Sequence, residues 1–124
     1  SHIHLIFRAK NNNPSDIIRY FKTFTSKKIV RLIEENPQES RKEWLLWMFR
    51  RAAAKRSNVK DYQFWQQDNH PIEIWSLSVF EEKLNYIHQN PVKSGFVENA
   101  WEWKYSSAKN YCDDMSAVLE IDIN

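Results

Sequence analysis

The chain opens on His2-Ile3-His4-Leu5-Ile6-Phe7, alternating polar and apolar and then apolar throughout. A period of two that passes into a continuous apolar run predicts a largely buried strand. Asn11-Asn12-Asn13 predicts a polar turn, with an Asn cap and Pro14 at the first helical position. Ile17, Ile18, Phe21, Phe24, Ile29, Val30 and Ile33 predict a helix over about 15–35, broken near Thr25-Ser26 and ended by Pro37. A second helix is predicted over about 39–56, with Trp44, Leu45, Trp47, Met48 and Ala52 on its apolar side and the basic residues opposite. Residues 62–66 read as a strand, continued by an extended stretch over 71–74. A third helix, over about 77–90, carries Phe80, Leu84, Tyr86 and Ile87; Pro91 halts it, and Gly95 supplies a left-handed turn. A short helix within 101–111 and a closing strand over 118–123 complete an order that reads as α+β.

Composition narrows the function classes. The 124 residues suffice for one modest core, and 42% apolar against 27% charged is ordinary for a folded globular chain. A single domain over 1–124 is expected, with parts at 1–76, 77–111 and a tail at 112–124. Gly95 is the one glycine, which excludes Gly-rich phosphate loops and dinucleotide fingerprints. Cys112 has no partner for an internal disulfide, a pattern that fits a reducing cytoplasm. No apolar run approaches the ~20 residues that span a membrane. The net charge of +2 conceals a concentration: residues 41–60 hold seven basic side chains against Glu43. Nucleic-acid-binding faces carry such clusters, although a basic run taken alone is more often a solvated helix face.

Two groups of residues carry candidate chemistry. His2 and His4 stand at strand spacing, so both imidazoles project from one face and can reach one divalent ion, with oxygen ligands supplied from elsewhere. Taken alone the pair is a weak signal, since two strand histidines are more often partly exposed polar residues. Tyr86 and Asn90 are four residues apart on the third helix and share a face, whereas His88 points about 160° away. An arbitrary tyrosine is more often a packed residue with a bonded hydroxyl, and Asn90 would then cap the helix end.

The combination changes the weighing. Ser1-His2-Ile3-His4-Leu5-Ile6-Phe7 resembles the His-hydrophobic-His strand of the single-tyrosine HUH transposases. Residues 16–26 resemble the helix that follows it, and Phe64-Trp65-Gln66 the next strand. Most specific is Tyr86-Ile87-His88-Gln89-Asn90-Pro91-Val92-Lys93-Ser94-Gly95-Phe96-Val97, followed by Trp103-Lys104-Tyr105-Ser106-Ser107 and Tyr111. These resemble the signature of the REP-associated tyrosine transposases, in the right order over about residues 1–111.

The resemblance implies a ferredoxin-like antiparallel sheet with helices on one face, here short of the family's first strand-helix-strand, so that a strand borrowed from a partner chain is one expectation. It implies Tyr86 as nucleophile, His2 and His4 as metal ligands, and Asn90 at the position of a third polar ligand. His88 is left as a ligand or DNA contact, and His70 as a weaker candidate for either. Magnesium or manganese is the implied cofactor, and single-stranded DNA with hairpins the substrate, cut through a 5′-phosphotyrosine in a bacterial, nucleoid-associated setting. The chain would act as a monomer or homodimer. Lys22, Lys27, Lys28 and Arg31 of the first helix and Arg50, Arg51, Lys55 and Arg56 of the second are the candidates for tracking phosphates. Most of Trp44, Trp47, Trp65, Phe80 and Trp103 are expected in the core. Two other readings stay open: a nucleic-acid-binding relative without catalysis, and a hydrolase using His2, His4, His88 and His70 to activate water.

Overall fold

The computed structural model describes residues 2–58, 60–112 and 117–123. Ser1, part of the tail and the intervening Val59 lie outside them. The described residues form three α-helices, α1 (Pro14–Glu35), α2 (Lys42–Ala54) and α3 (Leu77–Lys93), and two 3₁₀ turns, Ala100–Glu102 and Ser107–Tyr111. They divide into two compact units, Phe7–Pro71 and a second made of Ser1–Ile6 with Ile72–Asn124.

The expected α+β sheet is not there: the described residues contain helices and no strand. This overturns the ferredoxin-like reading, and the reason differs between segments. A strand is defined by a hydrogen-bonded neighbour, and no described backbone pairs with 2–7, 71–74 or 118–123. Alternation alone cannot supply that neighbour. In the 62–66 segment the side chains break the alternation. Phe64 and Trp65 are consecutive yet touch edge to face at 5.0 Å, Phe64 reaching Phe49 and Trp65 reaching Phe21. Consecutive strand residues would point to opposite faces.

In the Phe7–Pro71 unit, α1 starts where the sequence places it. The Asn13 side chain accepts the Asp16 N–H, and Pro14 occupies the first turn, where its missing N–H costs nothing. No break occurs at Thr25-Ser26. The Thr25 hydroxyl donates to the Phe21 carbonyl (2.7 Å) and accepts the Trp65 indole N–H (2.8 Å), so it is satisfied within the helix. Val30, Leu46 and Phe49 form the core, with Ile33, Leu45, Met48, Tyr62 and Phe64 packed against it. On α2 the buried stripe is therefore Leu46, Phe49 and Ala53, not the one that includes Trp44 and Trp47. Both tryptophans face outward, at 56% and 51% exposure.

In the other unit, the Ser76 side chain caps α3 by accepting the Val79 N–H at 3.3 Å. The helix does not stop at Pro91 but runs through it to Lys93. A proline this near the end removes one ladder bond and leaves less than a turn to distort. The real stop is a Schellman motif: Phe96 N–H donates to the Pro91 carbonyl and Gly95 N–H to that of Val92, with Gly95 at φ +73°. Pro91, Ala100 and Ala108 are the buried residues that join α3 to the two 3₁₀ turns.

Candidate active site

Three of the predicted site residues meet in one unit of one chain. The His2 and His4 rings stack with centroids 6.2 Å apart, and the Tyr86 ring meets His4 edge-on at 5.5 Å, at 90°. The spacing of i and i+2 suffices to set the imidazoles side by side without a sheet. Tyr86 projects from the middle of α3 and is 52% exposed. Its phenol thus faces solvent and an imidazole, and its hydroxyl has no hydrogen bond among the described residues. Asn90 lies one turn further along the same face of α3. Its backbone carbonyl accepts the Ser94 N–H at 3.0 Å, while its side-chain amide makes no hydrogen bond among the described residues.

Whether these residues suit a divalent ion can be tested on the rings. A metal–nitrogen bond of 2.0–2.1 Å plus the ring radius places each imidazole centre about 3.2 Å from a shared ion, so two centres lie at most about 6.4 Å apart. The observed 6.2 Å falls just inside that reach, but the rings are stacked at 22°, whereas nitrogens bound to one ion lie in ring planes that converge on it. The separation permits two ligands to one ion only after both rings turn toward it. Among the described residues no third His, Cys, Asp or Glu completes a cluster, so a further ligand would be an amide, the substrate or water.

His88 is on another face. Its Nε2 lies 3.0 Å from the Ser107 hydroxyl and its ring 5.4 Å from that of Tyr111. Burial lowers its pKa, favouring the neutral ring. His70 is exposed, at φ +45°, in the Phe7–Pro71 unit. The structure therefore does not bring His88 to the His2–His4–Tyr86 cluster. Ser107, which fixes His88, was missed in the sequence; a hydroxyl nineteen residues away carries no periodic signal.

Among the described residues, Tyr62 is the tyrosine whose hydroxyl is hydrogen-bonded, whereas Tyr20, Tyr105 and Tyr111 are exposed like Tyr86 and lie away from the His2–His4 pair in ring contacts. Tyr62 accepts a hydrogen bond from Arg50 (2.7 Å) and donates one to Glu34 (2.8 Å). Tyr105 lies under Lys104, and Tyr111 lies against His88.

The chain as a whole is similar to a known protein. Over 113 residues the chain is 29% identical to a Haemophilus influenzae protein named "Putative REP-associated tyrosine transposase". The likeness is to that one protein, and its name is the one the sequence motifs lead one to expect. The match covers 86% of this chain and 52% of the Haemophilus protein, so the chain spans about half of that transposase's length. No family model and no solved structure matches the chain.

The eight basic candidates all belong to the Phe7–Pro71 unit, and several are engaged there. Lys22 donates to the Gln66 carbonyl (2.5 Å), Arg31 pairs with Glu35 (2.6 Å), Arg50 holds Tyr62, and Arg51 lies over the Trp47 ring at 5.1 Å. Lys27, Lys28, Lys55 and Arg56 extend into solvent. Lys27 and Arg31 also line a shallow groove with Lys60, but Glu34 and Asp61 share it. No helix among the described residues is long and apolar enough to cross a membrane.

Proposed function

We propose that this chain carries the catalytic tyrosine of a metal-dependent DNA transposase that cuts and rejoins single-stranded, hairpin-containing DNA. The observation that carries the reading is the approach of His2, His4 and Tyr86 within one unit. The transposase relative supports it independently. His2 and His4, with Asn90 as a third donor, would hold magnesium or manganese, whose charge offsets that gathering on the phosphate oxygens.

The chain's own contribution is the nucleophile. Tyr86 Oη attacks phosphorus, the bond to the 3′ oxygen breaks, and the phenol proton passes to water or to the departing 3′ oxygen. The downstream strand stays on Tyr86 as a 5′-phosphotyrosine. Attack on that linkage by a 3′-hydroxyl reverses the step, restoring the phenol and a phosphodiester without a nucleotide triphosphate. Half-exposure of Tyr86 lets a strand reach it, and its unbonded hydroxyl needs no partner broken before attack.

Covalent capture tests this. A 3′-labelled hairpin oligonucleotide with manganese is expected to give a protein-linked product that survives denaturation, and Tyr86→Phe to abolish it while binding persists. Capture that survives in Tyr86→Phe would make another tyrosine the nucleophile. Binding without any capture would leave the non-catalytic reading, and cleavage without an adduct the hydrolase.

A further inference from the structure

The outward side of α2 has a composition that neither folding nor the proposed cleavage explains. Its inward stripe, Leu46, Phe49 and Ala53, satisfies the core. Trp44, Trp47 and Arg51 follow at i, i+3 and i+7, a second stripe on the opposite side, with Lys55 at the cap. Half of each large indole lies in water, where apolar surface is unfavourable, and the flanking charge is basic on every side but Glu43. Arg51 lies over Trp47 at 5.1 Å, so a flat ring and a cation are already paired.

We infer that Trp44, Trp47 and Arg51 form a stacking surface for the unpaired bases of single-stranded DNA. Charge selects this occupant. An apolar protein partner would have to cover Arg51 and Lys55, which have no ion pair among the described residues, whereas a single strand brings flat π-faces for the indoles and phosphates for those two cations. The inference deepens the nucleic-acid part of the proposed function and rests on it, but it is independent of Tyr86 chemistry. It also predicts a preference for looped or unpaired segments over duplex, whose bases are already stacked.

The test is equilibrium binding of the Tyr86→Phe chain, in which no cleavage occurs, to two 12-nucleotide strands. One is oligothymidine; the other has the same phosphates but abasic sugars through its central six positions. Oligothymidine is expected to bind at least about tenfold more tightly. The preference is expected to vanish in a Trp44→Leu/Trp47→Leu double variant and to persist in Trp44→Phe/Trp47→Phe, with circular dichroism confirming α-helix in both. Equal affinity of the unaltered indoles for the two strands overturns the inference, even if capture by Tyr86 succeeds. So does a Leu variant that keeps the preference, or a Phe variant that folds and loses it. If the Leu variant fails to fold, the Phe variant and the two-strand comparison still decide.

Discussion

Tyr62 and Tyr86 are the same residue in opposite circumstances. In the Phe7–Pro71 unit, Tyr62 packs against the core, and its hydroxyl is held between Arg50 and Glu34. In the other unit, Tyr86 stands half in water against the His4 imidazole, with no hydrogen bond to its hydroxyl among the described residues. A phenol whose oxygen is saturated by a cation and a carboxylate is a structural clasp. Attack at phosphorus would first have to undo both bonds. An unbonded hydroxyl is not by itself the mark of a nucleophile, since among the described residues Tyr20, Tyr105 and Tyr111 have one too; Tyr86 differs from them in meeting the His2–His4 pair through His4.

Substitutions in the two units separate these roles. Beyond Tyr86→Phe, the largest effect is expected from His4→Ala: covalent capture falls at least about 100-fold with oligonucleotide affinity little changed. A fall of less than threefold would sever the imidazole pair from the chemistry. On the packing side, Phe49→Ala removes a ring that is 7% exposed and is expected to cost about 3 kcal/mol in denaturant unfolding. A loss below about 1 kcal/mol would mean that the Val30–Leu46–Phe49 cluster is not what holds α1 to α2.

Gly95→Ala should cost less. An added Cβ would meet nothing within 4 Å, so the left-handed φ of +73° is the whole penalty, about 1 kcal/mol in thermal unfolding. The smallest effect concerns pH. Burial holds the His88 pKa below its ordinary value of 6.5, so the unfolded chain takes up its proton first. The stability due to the neutral ring is complete above about pH 6.5 and declines as pH falls through the window below it. His88→Asn should flatten that part of the unfolding curve and leave the rest.

Local signals in the sequence survived into the structure. Asn13-Pro14 starts α1, Gly95 ends α3 in the left-handed conformation, and the two-residue step from His2 to His4 aligns their rings. Signals that depend on a distant partner did not. Apolar alternation at 2–7 cannot announce whether a neighbouring strand exists, and 62–66 reads as a strand only until Phe64 and Trp65 both turn inward. On α2 two apolar stripes competed, one through Trp44 and Trp47 and one through Leu46 and Phe49. The larger side chains drew the expectation, but the aliphatic and phenyl stripe faces α1. The place of Tyr86 on α3 was legible because its motif is local; the 3.0 Å bond from His88 to Ser107 was not.

The stop at the end of α3 has a mechanical meaning. Tyr86 lies about 12 Å along the axis from the Ser94 cap, at 1.5 Å per residue. The helix is fastened toward that cap by buried Pro91 and by Gly95, while the clasp of His88 on Ser107 holds it two residues from Tyr86 itself. A tilt of about 5° about the capped end would swing the phenol by about 1 Å, a displacement that can cost a reaction roughly 100-fold in rate, and the His88–Ser107 bond, about 3 Å along the axis from Tyr86, resists it. Residues that never approach a phosphate, Gly95 and Ser107 among them, thus set the aim of the one that would.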